Sequence, residues 1–530
     1  MPIPQVRKQQ VYENTTALCR TAAVFDPALE TACEGVLCVL ALGEENPSEV
    51  GAQITFRQDS TFAPEQYAIY ADANGVLVAA GTLAGAVYAA ATIAQLCAEH
   101  GGTMPFCLIE DAPEHAWRGL LIDVCRHFFP MTTVKNLVDL MAYYKYNRLH
   151  LHLTEDQGFR FESERFPRLN SVGSYRKSTY VKHGGVTGQD GVLHGGFYSK
   201  AELRELVRYA KARGIEIVPE IDMPGHALSI LAAYPQLACF EESVEVATRF
   251  GVTDFSNKLY CAGKEKTYEF LFSLLDEVLE VFPFEYVHIG GDEALKSEWK
   301  RCKKCQAVKL AQGLKDEHEL QGYFLNRVIA YLESRGREAI VWNDGLCDTL
   351  SKRAICQYWT PLTRKGPAQI AHYVNAGGKA ILSPVTRVYY DYPYAATPLV
   401  KTYGFSPIWR GIRKNSAGNI LGVEAAIWTE WIDTEDKLFF NTLPRLAATA
   451  ETGWSARAHM RYDAFLQRLK PHYALYDRLG LTYAKHVEQP LPPTRRIRGT
   501  VKFVMSETHA ELHEQMKRAE PEEPQRRKKR

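Results

Sequence analysis

Short apolar runs alternate with amphipathic segments through most of the chain. Between the runs, apolar side chains recur at helical spacing, as in TYEFLFSLLDEVLEVF from Thr267 and AELRELVRYAKARG from Ala201. Eight strands that alternate with helices, without a glycine-rich phosphate turn after the first, favour a (β/α)8 TIM barrel over an open doubly wound sheet. The runs that resemble buried parallel strands are GLLIDVC (119–125), NRLHLHL (147–153), IEIVPEI (215–221), EYVHIG (285–290), EAIVW (338–342), AICQYW (354–359), KAILSP (379–384) and ILGVEAAIW (420–428).

The first 112 residues have a different pattern. The runs GVLCVLAL (35–42), QYAIYAD (66–72) and GVLVAA (75–80) predict short strands, and the segment from Thr82 to Cys97 predicts a helix with Thr82 available as its N-cap. We therefore expect a small α+β domain before the barrel. The predicted domains are an α+β accessory domain at 1–112, the barrel at 113–457, a helical extension at 458–490 and a basic, flexible tail at 491–530.

One stretch, from Ala73 to Ala98, contains no charged residue and is long enough to span a bilayer. Half of it is Ala and Gly, and Gly81 divides it into a strand-like and a helix-like part, so the pattern favours two elements of a folded domain over a membrane span. No apolar segment follows the basic residues near Met1, so this numbering shows no secretory signal. Both a cytoplasmic location and a processed, exported chain stay open.

The composition is that of an ordinary globular protein. The chain has 530 residues, of which 46% are hydrophobic, and its 63 Lys and Arg nearly balance 62 Asp and Glu. A formal net charge of +1 gives no electrostatic footprint for nucleic acid or an anionic membrane. The last 40 residues carry 11 Lys and Arg against 6 Asp and Glu, which favours a solvated tail over a targeting signal. The oligomeric state stays open.

Polar side chains follow the predicted strands at their carboxyl ends, where the chemistry of TIM barrels is located. The fourth strand ends in HIGGDE, so two glycines precede the adjacent carboxylates Asp292 and Glu293. Adjacent acids raise each other's pKa, so one can stay ionised while the other donates a proton, which is the division of roles in glycoside cleavage. Two solvated acids at a helix N-terminus are the alternative for an isolated pair.

Companion residues at the other strand ends favour the catalytic interpretation. They are ionisable groups that can bind hydroxyls or move protons, and tryptophans that can form an aromatic box. These companions are Arg126 after the first strand, Glu155 and Asp156 after the second, Asp222 and His226 after the third, Trp342, Trp359 and Trp428 at the fifth, sixth and eighth, Tyr389 and Asp391 after the seventh, and Glu430 after the eighth.

With these motifs, the sequence resembles glycoside hydrolase family 20, the β-N-acetylhexosaminidases, from about Glu110 to Trp454. The resemblance is carried by DAPEHAWRGLLIDVCRHFF, HLHLTEDQGFR, EIDMPGH, HIGGDE and GVEAAIWTEW. The N-terminal unit is similar to the usual accessory domain of the family. Two positions differ from the common family pattern, because Glu155 stands where many members have Asp and QGFR replaces QGWR.

The resemblance implies an exo-acting enzyme that removes terminal non-reducing β-linked GlcNAc or GalNAc from a small or oligosaccharide substrate, without a cofactor. The family is an exception to the two-carboxylate scheme and uses substrate assistance. The 2-acetamido oxygen would attack the anomeric carbon and form an oxazolinium intermediate, with net retention. Asp292 would then hold the acetamide N–H, and Glu293 would act first as acid and then as base.

The resemblance also implies roles for the companion residues. Asp222 and His226 would form a relay to Glu293, although a His–Asp pair that serves packing alone is the alternative. The implied roles in substrate binding are Tyr389 to the acetamide carbonyl, Trp342, Trp359 and Trp428 around its methyl group, Arg126 and Glu430 to hydroxyls 3 and 4, Glu155 in support of position 3, and Asp391 to hydroxyl 4 or 6.

Two other functions stay open. His150 and His152 alternate onto one face of a strand, and His226 or His288 could join them in a metal-dependent barrel hydrolase, although no Lys or carboxylate set completes a two-metal site. A non-catalytic carbohydrate-binding barrel is the second alternative, and the presence of both carboxylates weakens it.

Four of the twelve cysteines form a separate pattern. Cys302 and Cys305 make a CxxC motif, and Cys239 and Cys261 lie upstream of it. A structural zinc ion held by four thiolates is one interpretation. A disulfide and free thiols are the others, because the spacing of Cys239 and Cys261 is not that of a zinc knuckle.

Overall fold

The N-terminal unit is a mixed sheet with helices against it. The computed structural model describes residues 1–19, 23–43, 51–183, 186–250, 258–359, 366–408, 411–485 and 492–504. Helix α1 (Cys33–Ala41) contacts α2 (Leu83–Glu99), and α2 lies on the sheet. The sheet has the order β1-β6-β4-β5-β3-β2, with strands β1 (Lys8–Ala17), β2 (Val24–Phe25), β3 (Gln53–Gln58), β4 (Tyr67–Asp72), β5 (Gly75–Ala80) and β6 (Thr103–Asp111).

Helix α1 corrects one prediction. The run GVLCVLAL, expected to be a strand, is helical, and its buried residues Val36, Val39 and Leu40 follow helical spacing. A short apolar run cannot distinguish a strand from a helix segment by periodicity alone. Here the preceding 3₁₀ turn, Pro27–Ala32, already has Asp26 accepting a hydrogen bond from the Ala28 N–H, so the chain enters α1 in a helical conformation.

The charge-free stretch forms strand β5 and helix α2. Thr82 occupies the N-cap position of α2, but its hydroxyl donates to the carbonyl of Pro64 at 2.6 Å, so the expected side-chain cap is not formed. Residues 85–97 of α2 are all buried, which explains why the helix is apolar on every side. Among the described residues, no helix has both the length and the apolar character of a membrane span.

Eight parallel strands close into a barrel, and each overlaps one of the predicted runs, so the predicted fold class is confirmed. Strand β20 pairs with β7 and closes the ring. In chain order the barrel strands are β7 (Trp117–Asp123), β8 (Arg148–His152), β15 (Glu216–Glu220), β16 (Tyr286–His288), β17 (Glu338–Trp342), β18 (Ile355–Tyr358), β19 (Ala380–Leu382) and β20 (Ile420–Ile427). Six short strands outside the barrel lie between β8 and β15: β9 (Thr154–Glu155), β10 (Gly158–Phe159), β11 (Tyr175–Arg176), β12 (Tyr180–His183), β13 (Val186–Gln189) and β14 (His194–Gly195).

Helices cover the outside of the barrel, and both helical patterns read from the sequence, around Ala201 and Thr267, are helices. Part of the expected tail forms a helix, α16, while residues 491 and 505–530 lie outside the described residues. The helices are α3 (Met131–Tyr143), α4 (Lys200–Ala212), α5 (Leu228–Ala233), α6 (Glu265–Val281), α7 (Ser297–Arg301), α8 (Lys303–Ala311), α9 (Glu317–Ser334), α10 (Gly366–Asn375), α11 (Val385–Val388), α12 (Leu399–Tyr403), α13 (Glu435–Thr442), α14 (Arg445–Trp454), α15 (Tyr462–Arg478) and α16 (Pro493–Val504).

The barrel interior contains a carboxylate, Glu220, whose neighbours in the strand register are histidines on both sides. Glu220 on β15 lies opposite His152 of β8 and His288 of β16. Its carboxylate contacts His152 Nδ1, lies 2.8 Å from His288 Nδ1 and accepts a 2.8 Å hydrogen bond from Trp342 Nε1. Because the imidazoles supply compensating charge, the pKa of Glu220 lies well below its usual range although burial opposes this.

A second buried carboxylate, Glu424 of β20, extends this network. It lies 2.8 Å from His150 Nδ1 and accepts hydrogen bonds from Trp117 Nε1 at 2.8 Å and Gln357 Nε2 at 2.7 Å. Burial lowers the pKa of His150, but Glu220 and Glu424 outweigh it and raise this pKa to about 9. The barrel interior therefore contains a network of buried ion pairs beside its apolar packing.

A buried ion pair also joins the N-terminal unit to the barrel. Lys145, after α3, is fully buried, and its Nζ lies 3.1 Å from Asp111 Oδ2 and 2.8 Å from the Tyr67 hydroxyl. Trp454 Nε1 donates to the same carboxylate at 3.1 Å. Both charges are thus satisfied only while β6 and the barrel are in contact.

We predict that Asp111→Ala lowers the free energy of unfolding by about 3–5 kcal/mol, because it leaves the Lys145 ammonium buried without its partner. Glu110→Ala is the matched control, since Glu110 is the preceding residue of β6 and pairs with Lys8 at an exposed position. This control should change the free energy by less than about 1 kcal/mol. Urea denaturation measures both variants, and equal losses would contradict a special role for the buried pair.

Candidate active site

Residues after the first, second and eighth barrel strands meet around Arg126. Its Nη2 lies 2.8 Å from Glu155 Oε2, and its Nε lies 3.8 Å from Glu430 Oε1. The guanidinium carbon is 5.0 Å from the centre of the Trp428 ring, within the range of a cation–π contact. The two carboxylates and the ring fix the orientation of Arg126.

His226 lies between Glu155 and the acid pair of the HIGGDE motif. Its Nδ1 is 2.7 Å from Glu155 Oε1, and its Nε2 is 3.6 Å from both Asp292 Oδ2 and Glu293 Oε2. Burial lowers the pKa of His226, but Glu155 and Asp292 outweigh it and hold this pKa well above its usual range. The imidazole is therefore cationic at neutral pH.

Asp222 has a different partner from the one expected. The sequence suggested an Asp222–His226 relay, whereas His226 Nδ1 is hydrogen-bonded to Glu155, and Asp222 Oδ1 accepts from the Gly291 N–H at 3.3 Å. Gly290 has φ +67°, and a Cβ there would lie 1.6 Å from Asp222 Oδ1. The glycine thus lets the HIGGDE turn approach Asp222 closely, and Asp222 holds that turn in place.

Glu155 is more enclosed than a direct sugar contact requires. It is 1% exposed, and its carboxylate contacts Arg126 and His226, lies 3.1 Å from His152 Nε2 and accepts the Asp156 N–H at 2.8 Å. Burial alone would raise its pKa, but Arg126 and His226 hold this pKa well below the usual range. The ionised Glu155 therefore connects Arg126 to His226 beneath the site.

Glu293 has a raised pKa. Burial raises the pKa of Glu293 to about 8, and the negative charges of Asp292 and Asp344 add to this against the opposing effect of His226. Its carboxyl group is neutral at pH 7 and can donate a proton. Glu293 is therefore suited to the proton-donor role that the sequence predicts for it.

Asp344 is a residue that the sequence analysis missed. It follows Trp342 at the end of β17, and its Oδ2 accepts the Glu293 N–H at 3.3 Å. Burial and the neighbouring Asp292 raise the pKa of Asp344 to about 7. The available signal was its place two residues after a strand end, where the other candidate acids also lie.

Backbone strain is concentrated at the same point. Among the described non-glycine residues, positive φ angles occur at Glu293 (+43°), His226 (+49°) and Lys145 (+62°), so two of the three belong to the site. Such a backbone conformation costs on the order of 1–3 kcal/mol, and it persists where contacts with the surrounding residues impose it. The contacts of Glu293 and His226 thus hold both side chains in directions that a relaxed backbone would not give.

The predicted aromatic residues form one wall. Ring centres are 6.0 Å apart for Trp342 and Trp428, 6.1 Å for Tyr389 and Trp428, and 6.3 Å for Trp359 and Tyr389, whose rings are nearly parallel. Tyr392, which was not predicted, packs at 6.4 Å from Tyr389. The wall is apolar and mostly buried, and Trp342 is fixed from below by its hydrogen bond to Glu220.

Several buried polar atoms on this face have no hydrogen-bond partner among the described residues. They include Asp292 Oδ1, Asp391 Oδ1 and Trp359 Nε1. Burial also raises the pKa of Asp391 well above its usual range, and Glu430 adds to this. Acceptors and a donor left unpaired at the mouth of a barrel are suited to a neutral ligand rich in hydroxyl and amide groups.

A closed TIM barrel with two adjacent carboxyl groups beside an aromatic wall at its carboxyl face is typical of a glycoside hydrolase. The model of the glycosyl hydrolase family 20 catalytic domain matches residues 115–457, and that of domain 2 of the same family matches residues 3–112. The chain belongs to glycosyl hydrolase family 20. The resemblance found in the sequence is thereby confirmed.

Individual relatives agree with this assignment. A β-hexosaminidase of Akkermansia muciniphila is 35% identical over 78% of this chain and 84% of its own length. One of Porphyromonas gingivalis is 33% identical over 91% of this chain, which spans only 63% of that protein. The solved β-N-acetylhexosaminidase of Streptomyces coelicolor has a TM-score of 0.78 at 29% identity and covers 93% of this chain and 98% of its own.

Proposed function

We propose that the protein is an exo-acting β-N-acetylhexosaminidase that removes terminal non-reducing β-linked GlcNAc or GalNAc with retention of configuration. The observation that carries this proposal is the placement of Asp292 and the neutral Glu293 together, each 3.6 Å from Nε2 of the His226 cation. Solved relatives support the substrate class, because one from Vibrio harveyi was crystallised with N-acetylglucosamine; it has a TM-score of 0.79 at 27% identity and covers 91% of this chain and 78% of its own.

In the first step the substrate supplies the nucleophile. The oxygen of its 2-acetamido group forms a bond to the anomeric carbon as the glycosidic bond breaks, and the neutral Glu293 protonates the leaving oxygen. Positive charge develops on the acetamide nitrogen, where Asp292 accepts the N–H. The unpaired Asp292 Oδ1 is the acceptor for that contact.

In the second step Glu293, now a carboxylate, accepts a proton from water, and the water oxygen attacks the anomeric carbon. The bond from the acetamido oxygen breaks, which restores the acetamide and the neutral Glu293. Two inversions at the same carbon give net retention. The His226 cation stabilises Glu293 while it is ionised, because its Nε2 lies 3.6 Å from the carboxylate.

The remaining residues bind and orient the sugar. Trp342, Trp359 and Trp428 enclose the acetamide methyl group, and Tyr389 donates to its carbonyl, which excludes water from the reacting atoms. The ring hydroxyls at positions 3 and 4 are bound by Arg126 and Glu430, and the hydroxyl at position 4 or 6 by Asp391.

Glu155 and Asp222 act through other residues. Glu155 orients Arg126, the donor to hydroxyl 3, and pairs with His226, so we assign it a positioning role in support of position 3. Asp222 positions the turn that carries the acid pair.

A metal-dependent hydrolase is disfavoured by the partners of its candidate ligands. His150, His152 and His288 each have Nδ1 engaged by Glu220 or Glu424, and both carboxylates accept further hydrogen bonds from tryptophans. These contacts commit the Nδ1 atoms and both carboxylates to one network inside the barrel, which leaves only Nε2 of His150 and of His288 without a hydrogen-bond partner in it.

Two assays on the wild-type enzyme test the proposal. We expect turnover of a nitrophenyl N-acetylglucosaminide or N-acetylgalactosaminide and strong competitive inhibition by a thiazoline analogue of the oxazoline. The matched glucoside with a 2-hydroxyl group lacks the internal nucleophile and should react far more slowly. Comparable rates on the two sugars, or a thiazoline without effect, would contradict substrate assistance.

Glu293→Gln should lose on the order of 10²–10⁴ in rate on substrates with poor leaving groups, because no proton reaches the leaving oxygen. A nitrophenol leaves without protonation, so the loss on that substrate should be much smaller. Glu285→Gln, at the exposed amino end of the same strand, is the matched control and should behave as wild type. Equal losses on the two substrate types would be inconsistent with Glu293 as the acid.

The raised pKa of Glu293 predicts the alkaline limb of the pH profile. Because the neutral form is active, kcat/KM should fall as the pH rises through about 8. Asp344→Asn removes a nearby negative charge, so it should lower the pKa of Glu293 and move this limb to lower pH. Asp348→Asn, at an exposed carboxylate, should leave it unchanged. If the alkaline limb of Asp344→Asn lies at the same pH as that of the wild type, the charge of Asp344 does not raise the pKa of Glu293.

A further inference from the structure

Four cysteine thiols meet outside the active site, between the loops that follow β15 and β16. The sulfur atoms of Cys239, Cys261, Cys302 and Cys305 all lie within 4.8 Å of one another. The Sγ–Sγ distance is 3.6 Å for Cys239 and Cys305, 3.6 Å for Cys261 and Cys305, and 3.8 Å for Cys261 and Cys302. The fold thus joins a CxxC motif to two distant cysteines.

We propose that these four thiolates bind a structural zinc ion. Zinc binds thiolates at about 2.3 Å in a tetrahedron, whose edges are then about 3.8 Å long. The three sulfur separations match such edges, whereas a disulfide would bring two sulfurs to about 2.05 Å. Four soft ligands in a closed site are characteristic of structural zinc.

The local backbone favours thiolates at this point. Cys302 is the N-cap of α8 and Cys305 is its third residue, so both sulfurs lie at the positive end of the helix. The turn after Cys261 approaches the same helix end so closely that a Cβ at Gly263 would lie 2.3 Å from the carbonyl carbon of Lys304. A glycine at this position lets the two pairs of cysteines close around one centre.

The zinc would join the two loops that carry the site. Tyr260, next to Cys261, donates its N–H to the Pro224 carbonyl at 3.1 Å, and Pro224 lies two residues before His226. Trp299, between Glu293 and the CxxC motif, donates its Nε1–H to the Tyr260 carbonyl at 2.9 Å. The tetrathiolate centre therefore ties the His226 loop to the Glu293 loop, and it does not depend on the proposed function.

Elemental analysis of the full-length protein, purified under reducing conditions from zinc-containing medium, tests the proposal. We expect one zinc per chain in the wild type and in Cys347→Ser, a control at a half-buried thiol outside the cluster. In Cys305→Ser, zinc occupancy should fall at least about tenfold. Iron in place of zinc, no metal in the wild type, or full occupancy in Cys305→Ser would overturn the assignment.

A measurement on the wild type covers the case in which Cys305→Ser does not fold. Titration with an organomercurial should release zinc in proportion to the thiols modified, and mass spectrometry should find these four cysteines free of disulfides. After removal of zinc with a chelator, hydrogen exchange should accelerate in residues 258–262 and 297–311 and stay unchanged in α4. Disulfides between Cys239 and Cys305 or between Cys261 and Cys302, or unchanged hydrogen exchange in both segments, would refute a zinc ion that joins the two loops.

Discussion

Two carboxylates buried inside the barrel impose the constraint on which the site depends. Burying an ionised carboxylate costs several kcal/mol unless partners supply charge and hydrogen bonds, and Glu220 obtains them from His152 and His288 on its two neighbouring strands. A slip of one residue in either strand would turn these histidines to the other face. The register is thus fixed electrostatically, and Trp342, bound to Glu220, carries that register into the aromatic wall.

The same charges continue towards the reacting atoms as an alternating series. Glu220 contacts His152, His152 contacts Glu155, Glu155 contacts His226, and His226 lies 3.6 Å from Glu293. Each charged member offsets the charge of the next, and the series ends at the neutral Glu293, whose pKa burial raises against the opposing effect of His226. The charged groups inside the barrel and those at the active site therefore form one connected network. A substitution deep in the barrel can change the charges at the site through this network.

Much of this could be predicted from the sequence, because the alternation of apolar runs with amphipathic segments is repeated and TIM barrels place chemistry at strand ends. The helix at GVLCVLAL could not be predicted, because so short an apolar run shows no clear periodicity. The hydrogen-bond partner of His226 could not be predicted either. The sequence places Glu155 and Asp222 at the same end of the barrel, but it does not show which carboxylate contacts the imidazole. Asp344 is a lone acid after a strand, and only the fold shows that its carboxylate reaches the Glu293 N–H.

The Lys145–Asp111 contact has a consequence for how the architecture is inherited. A barrel without the N-terminal unit would keep the Lys145 ammonium group without its carboxylate partner, and the unit without this barrel would carry Asp111 without its ammonium partner. An exchange of either unit therefore keeps this ion pair only if the incoming unit supplies the matching charge at the same place. The two units are separate in the order of the chain, yet each supplies one half of a buried charge pair that neither completes alone.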